Sequence, residues 1–412
     1  MKPLNFSKLV VLTAGFLILA NVAYGNPIPW DIKTLSIPPK VFEFPERTTS
    51  DVKAIFYESV PWEGKPTRVF AYYGLPKTAG KEKVPAMVLV HGGGGSAFIP
   101  WVQLWVSRGY AAISMDTCGC ISSGGYNNHP RHEFGGPAGW GGFGQIDQPI
   151  EEQWTYHAVA DIILANSLIR SFPQVDPEKV GITGISWGGY LTCIVAGVDH
   201  RFKFSAPVYG CGFLGDNSVW LDTFQKMGQD KASKWLQLWD PAVYLPQAKM
   251  PMLWVDGTND FAYPMDSLQK SYRLPEASHT LCVRVRMPHG HGGPGENPEE
   301  IHAAAESLFR NGVPLARITG SGRKDFNAWA SFKSECPVIK VELNYTTDTG
   351  KWQDRKWDTL PAVLDAKAGK IYATLPKATT VYYFNLIDER SLIVSSEHEE
   401  MSPDKTNGSD VK

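Results

Sequence analysis

The sequence predicts an α/β protein: a mostly parallel sheet with helices on both faces, followed by a small C-terminal β-sandwich. Three observations predict it. Short continuous apolar runs recur between residues 86 and 285, as strands buried on both faces require. Helically spaced segments separate most of these runs, which is the mark of a parallel sheet with crossover helices. After Phe309 the rhythm changes to short alternating segments divided by turn residues, which suits a sandwich.

Along the chain, the first segment reads as an address. Lys2 and Lys8 flank a short basic start, Leu9 to Ala20 is apolar, and Ala23-Tyr24-Gly25 closes it with small residues. The run is short for a membrane span of roughly 20 residues, so residues 1–25 read as a cleaved signal peptide, with an uncleaved anchor as the competing reading. The expected destination is secreted or periplasmic, with no membrane span after cleavage. Ala54 to Val60 and Arg68 to Gly74 alternate around Pro61-Trp62-Glu63-Gly64-Lys65 and predict an antiparallel hairpin.

The buried runs follow: Ala86–Val90, Ala111–Met115, Val180–Thr183, Phe204–Tyr209, Met252–Val255 and Leu281–Val285. Trp101–Val106, Tyr156–Ile169, Trp187–Val198, Ser267–Tyr272 and Glu299–Phe309 supply helices. Two stretches break the rhythm. Gly119 to Gln148 is a long loop rich in Gly, Pro and aromatics, and Phe213 to Leu245 reads as a helical cap insertion. The division is a catalytic domain over 26–311, a β-sandwich over 312–401, and a polar, disordered tail over 402–412.

Composition narrows the function. With 412 residues, 43% hydrophobic and 20% charged, the chain can bury a large core. A formal net charge of −2 without a Lys/Arg block gives no pull toward nucleic acid or an anionic membrane. The 14 Trp residues lean toward a carbohydrate partner. Six cysteines would be permitted to pair after secretion, but several lie in apolar runs where a free thiol packs as a small hydrophobe. Cys118-Gly119-Cys120 lacks metal-site spacing, and no HExxH motif occurs, so no metal is expected. His129 and His132 have no partner spacing that would change this.

Four motifs carry chemistry. Gly184-Ile185-Ser186-Trp187-Gly188-Gly189 lies between a strand-like and a helix-like run, which is the setting of a nucleophile elbow. Ser186 is the predicted nucleophile, with small residues at 184 and 188 because the turn is tight. His91-Gly92-Gly93-Gly94-Gly95-Ser96 follows the first buried run and matches a loop that offers amides to an oxyanion. The expected donors are the amides of Gly93 and Trp187. A phosphate-binding loop fails here because no Lys-Ser/Thr follows the glycines. His91 itself reads as a structural hydrogen-bonder.

Trp254-Val255-Asp256-Gly257-Thr258-Asn259-Asp260 offers two acids. Asp260 is favoured, because it lies further along the loop where its side chain can reach a histidine. Asp256 is the alternative, with a buried turn-forming role as its plainer reading. Met287-Pro288-His289-Gly290-His291-Gly292-Gly293 offers two bases. His291 is favoured, on the expectation that a few loop residues are needed to bring the ring over Ser186. His289 is the alternative. Asp116, ending a buried run, reads as a turn residue.

Together, His91 to Gly95, Gly184 to Gly188, Gly257-Thr258-Asn259-Asp260 and Pro288-His289-Gly290-His291 resemble the acetylxylan esterase and dipeptidyl-aminopeptidase branch of the α/β-hydrolases. The resemblance covers roughly residues 50–311. It implies a Ser186–Asp260–His291 triad and no cofactor. Peptidases of this branch usually carry a large domain ahead of the hydrolase. The short lead-in here weighs toward an esterase acting on a small-molecule or polysaccharide ester and releasing acetate or methanol. The alternatives are a dipeptidyl- or exo-peptidase, which would need an anchor such as Glu151-Glu152 for a free amine, and a non-catalytic binding protein on the same scaffold.

Overall fold

A computed structural model describes residues 28–77 and 82–401. The expected signal peptide and the polar tail lie outside the described residues. The strands are β1 (Val41–Glu43), β2 (Lys53–Trp62), β3 (Lys65–Gly74), β4 (Val84–Val90), β5 (Ala111–Met115), β6 (Val175–Ile185), β7 (Phe204–Val208), β8 (Met252–Gly257) and β9 (His279–Arg284). The C-terminal strands are β10 (Arg317–Lys324), β11 (Asn327–Lys333), β12 (Val338–Thr346), β13 (Asp358–Pro361), β14 (Val363–Asp365), β15 (Lys370–Thr374), β16 (Val381–Asp388), β17 (Ile393–Ser395) and β18 (Glu399–Glu400). The helices are α1 (Ile32–Leu35), α2 (Ile99–Ser107), α3 (Trp154–Arg170), α4 (Trp187–Val198), α5 (Leu221–Met227), α6 (Gln229–Trp239), α7 (Met265–Tyr272) and α8 (Glu299–Arg310).

β2 and β3 form the opening antiparallel hairpin. Its turn is the pair Glu63-Gly64, both at positive φ (51° and 70°), which matches the right-handed strand twist in a two-residue loop. β3 lies antiparallel to β5, and from there β5-β4-β6-β7-β8-β9 run parallel in that order. Every residue of β4, β5, β7 and β8 is buried. That is why these strands read as unbroken apolar runs rather than alternating ones. α3 is buried over nearly its whole length, with Trp154, Val159, Ile162, Ile163 and Leu168 in the core.

The C-terminal segment differs from a self-contained sandwich over 312–401. β17 pairs antiparallel with β9 through Ser395 and Leu281, and β16, β12 and β13 continue outward, so one layer extends the main sheet to 14 strands. Only β10, β11, β15 and β14 form a separate four-stranded layer. The physical reason is the open edge of β9, whose unpaired backbone groups need partners. Side chains complete that seam: the Val283 amide donates to Ser395 Oγ at 2.8 Å, and Asn385 Nδ2 donates to the Val283 carbonyl at 3.2 Å. The two layers share their own apolar cluster, including Phe332, Leu343, Ile371, Phe384 and Leu386.

The insertion between β7 and β8 holds α5 and α6. It is pinned to the long loop over 119–148: Trp235 Nε1 donates to the Gly141 carbonyl at 2.6 Å, and Phe143 stacks on Trp235 at 4.8 Å between ring centres. All six cysteines are free thiols, and five are buried. Among the described residues no helix is long and apolar enough to cross a membrane.

Candidate active site

The site lies beyond the C-terminal ends of the parallel strands, where an open α/β sheet binds its ligands. β6 ends at Ile185 and α4 begins at Trp187, leaving Ser186 alone in the turn at φ 57°, ψ −119°. A non-glycine residue there stores about 1–3 kcal/mol, which the surrounding structure must hold in place. The Ser186 amide donates to the Val208 carbonyl at 2.9 Å, and the Ser186 carbonyl accepts from the Tyr190 amide at 2.9 Å. The turn can be this sharp because its flanks have no side chains. A Cβ at Gly184 would fall 2.2 Å from the Gly188 carbonyl oxygen, and one at Gly188 would fall 2.0 Å from that of Val90.

Ser186 Oγ donates to His289 Nε2 at 2.9 Å, and His289 Nδ1 donates to Asp260 Oδ2 at 2.6 Å. The histidine tautomer is assigned from this network, with the proton on Nδ1 facing the carboxylate. Asp260 is 2% exposed. Its other oxygen accepts from the amides of Ala262 and Tyr263 at 2.9 and 2.8 Å, so the carboxylate is fixed from both sides. The His289 ring lies between Tyr209, stacked at 4.6 Å, and Phe261, tilted at 4.7 Å.

The expectation that His291 reaches Ser186 is corrected. The His291 ring packs against the edge of Phe98 and has its Nδ1 3.7 Å from Glu296 Oε1. The reason is local. The chain turns at Arg286 (φ 54°), whose amide donates to Thr258 Oγ1 at 3.0 Å, and Met287 packs against Gly257. The loop is thereby folded back early, and His289 already stands over the elbow. His291 stays beside the glycine loop: a Cβ on Gly92 would fall 2.9 Å from His291 Nε2 and 3.0 Å from Ser186 Cβ.

Of the two candidate acids, Asp256 forms no hydrogen bond or ion pair with either histidine. It is fully buried at the end of β8, its Oδ1 accepting from the Gly257 amide at 2.7 Å and its Oδ2 without a partner. Burial, with the nearby Asp260 charge second, pushes its carboxyl well above the usual carboxylate range, so it stays protonated.

Gly93 and Trp187 lie against each other: a Cβ on Gly93 would meet Trp187 Cδ1 at 2.8 Å. The Trp187 amide opens α4 and therefore has no partner within the helix. The glycine loop is anchored from behind by His91, whose Nδ1–H donates to the Gly92 carbonyl at 2.9 Å while its Nε2 accepts from the Thr117 amide at 3.1 Å. Burial lowers this imidazole to about 4, so it is neutral. Asp116 accepts from the amides of Cys118 and Cys120 and from Ser96 Oγ, organising the start of the long loop. Among the described residues no group of three or more His, Cys, Asp or Glu gathers as a metal shell would need.

A cleft of about 540 Å³ opens over Ser186 and His289. Its walls include Tyr126, Trp140, Trp187, Trp220 and Phe261, and among the described residues no Asp, Glu, Lys or Arg lines it. Glu152 is engaged elsewhere, accepting from the Glu63 amide at 2.7 Å. Sequence reasoning did not single out Tyr209, Phe261 or Trp220. Two positional signals were present: Tyr209 directly follows a buried parallel strand, and Phe261 directly follows Asp260. The Trp count was a weaker guide, since ten of the 14 are buried and three line the cleft.

A family model described as acetyl xylan esterase (AXE1) matches residues 40–242. The "Uncharacterized peptidase YuxL" of Bacillus subtilis (strain 168) is 24% identical over 250 residues, which span 58% of this chain and 33% of that protein. Among solved structures, the acetyl xylan esterase from Paenibacillus sp. R4 superposes with a TM-score of 0.54 at 21% identity, covering 68% of this chain and 92% of that one. Acetyl xylan esterase 1 from Thermoanaerobacterium sp. JW/SL YS485 gives 0.50 at 19% identity, covering 65% and 90%. These structural likenesses speak for the fold. With the family match over residues 40–242, the chain resembles the serine hydrolases of the branch that holds acetyl xylan esterases and peptidase-like relatives.

Proposed function

We propose that this protein is a secreted or periplasmic esterase that removes acetyl or methyl groups from a polysaccharide or sugar ester through an acyl-enzyme on Ser186. The observation that carries the reading is the hydrogen-bonded chain Ser186–His289–Asp260 opening onto an aromatic, uncharged cleft. Ser186 Oγ attacks the ester carbonyl as His289 Nε2 takes its proton. Asp260 holds the ring and stabilises the imidazolium. The carbonyl oxygen becomes an oxyanion beside the amides of Gly93 and Trp187. His289 then gives its proton to the leaving alcohol; water, deprotonated by His289, attacks the acyl carbonyl, and His289 returns that proton to Ser186 Oγ as the carboxylic acid departs. Every step uses groups of this chain.

A dipeptidyl-peptidase reading is less well supported. A free substrate amine needs a carboxylate within the cleft, and among the described residues none lines it. The test is to assay release of acetate from acetylated xylan and methanol from methylated pectin beside hydrolysis of dipeptide amides, for the parent and Ser186→Ala. Ester cleavage that depends on Ser186 and exceeds amide cleavage is expected. Faster hydrolysis of dipeptide amides, or ester cleavage by Ser186→Ala at the parental rate, would overturn the reading.

A further inference from the structure

The outward face of the four-stranded layer has no role in the chemistry above, and it is built unlike an ordinary solvated sheet. Ala328, Ala330 and Phe332 of β11 point inward and are buried. The alternate residue Trp329 points outward and is 37% exposed, above every other Trp among the described residues. The register sets Trp329 opposite Tyr372, and Tyr372 opposite Val363, which are 41% and 65% exposed. On the other side Trp329 faces Gly322. A Cβ there would fall 3.3 Å from the indole Cζ2, so the ring lies across β10 over a strip without side chains. The result is a continuous apolar row across all four strands.

Cations surround this row. Arg317 and Lys333 stand directly opposite each other in the register, and Lys324 and Lys370 lie on the two sides of the row. Like charges set opposite in a sheet are unfavourable unless something else occupies the space between them. None of the four makes an ion pair among the described residues. The one carboxylate in register with them is Asp365, opposite Lys370, and its Oδ1 accepts from the Ala368 amide at 3.0 Å. Ser331, Asn327 and Thr374 add neutral hydrogen-bonding groups along the margin.

We propose that this face is a second binding surface, separate from the catalytic cleft, for an acidic polysaccharide carrying uronate groups. Pyranose rings offer apolar C–H faces to flat aromatic side chains, and Trp329 and Tyr372 are presented side by side on a rigid sheet. Uronate carboxylates match the unpaired Lys and Arg charges. An exposed apolar patch rimmed by polar groups marks an interaction site. Holding the polymer here raises the local concentration of its esters at Ser186 without any new contact in the cleft. The choice of a carbohydrate as occupant rests on the esterase reading; the binding measurement does not.

The test is affinity electrophoresis of the full chain carrying Ser186→Ala in gels containing polygalacturonate or neutral xylan, with flotation on phosphatidylserine vesicles alongside. Retardation by polygalacturonate that weakens with added salt is expected. Trp329→Ala and Tyr372→Ala should each weaken it by roughly tenfold or less, and Lys333→Glu combined with Lys370→Glu should abolish it. In the Ser186 background, Trp329→Ala and Tyr372→Ala should leave kcat/KM on p-nitrophenyl acetate at the parental value, which shows that the variants fold. No retardation, retardation indifferent to all of these substitutions, equal retardation by neutral xylan, or equivalent vesicle binding would each overturn the proposal. Polygalacturonate binding by a chain that hydrolyses no sugar ester would keep this surface and sink the esterase reading instead.

Discussion

Ser186 Oγ and His289 Nε2 stand 2.9 Å apart, although Ser186 is strained into its turn and His289 arrives on a loop more than a hundred residues later. The loop bearing His289 is held by a turn at Arg286 and by the contact of Met287 with Gly257, and the ring is wedged between Tyr209 and Phe261. His291, on the same loop, makes no hydrogen bond to the serine. His289→Ala is therefore expected to lower kcat on p-nitrophenyl acetate by on the order of 10⁴-fold. His291→Ala should cost less than about tenfold, because only packing beside the glycine loop is lost. Parallel steady-state kinetics of the two variants decide it, and an inverted order would refute the assignment.

The two acids on the preceding loop should separate as cleanly. Asp260→Asn removes the charge that stabilises the imidazolium and upsets the tautomer, so kcat should fall by roughly 10⁴-fold. Asp256 is already held protonated by burial. Asp256→Asn keeps its size and its acceptor for the Gly257 amide, so kcat should stay within about threefold and stability within ~1 kcal/mol. Kinetics and thermal melts of both variants provide the check.

The elbow makes a steric demand that can be tested on the backbone. A methyl group at Gly188 would overlap the Val90 carbonyl oxygen, and backbone in the middle of a buried sheet cannot move aside. Gly188→Ala should fail to accumulate as folded protein. Gly144, in the long loop, has nothing within 4 Å of an added Cβ. Gly144→Ala should melt within a few degrees of the parent, and equal soluble yield of the two variants would count against the argument.

How far the sequence reveals this molecule depends on whether its signals are local. β4, β5, β7 and β8 are legible because strands buried on both faces have to be apolar throughout. The elbow is legible because its glycines are forced by contacts within one turn. The seam between β9 and β17 is not. It rests on one register pair and on Ser395 and Asn385, buried polar residues that in a sequence look like surface. The choice between His289 and His291 is equally hidden. It is made by the φ of Arg286 and by a neighbour on another loop, and neither leaves a mark on the two histidines themselves.

Trp220 should set substrate preference rather than rate. It lines the cleft, lies 4.6 Å from Trp187 and 5.1 Å from Tyr263 between ring centres, and has no part in the proton transfers. If sugar rings rest on this wall, Trp220→Ala should raise KM for an acetylated xylo-oligosaccharide by roughly two- to tenfold. Hydrolysis of p-nitrophenyl acetate, which has no sugar to rest there, should change by less than about twofold. Equal effects on both substrates would mean that the ring only props up Trp187.

Asp161 should make stability depend on pH in an unusual direction for a carboxyl group. It sits in α3, buried against β2, where Ser59 Oγ donates to its Oδ1 and Tyr57 donates to its backbone carbonyl at 2.7 Å. Burial raises its carboxyl to about 8, which the Ser59 hydrogen bond only partly opposes. The unfolded chain releases this proton near the ordinary aspartate value of 3.8, whereas the folded chain keeps it to about 8. Between those values the folded state binds more protons, so this group's contribution is present below pH 4 and is lost as pH rises toward 8. The slope is at most about 1.4 kcal/mol per pH unit. Asp161→Asn has no proton to lose, so its stability relative to the parent should improve steadily from pH 4 to pH 8. Urea unfolding of both proteins across that range measures the difference directly. A constant gap would show that the Asp161 carboxyl ionises in the folded chain as readily as in the unfolded one.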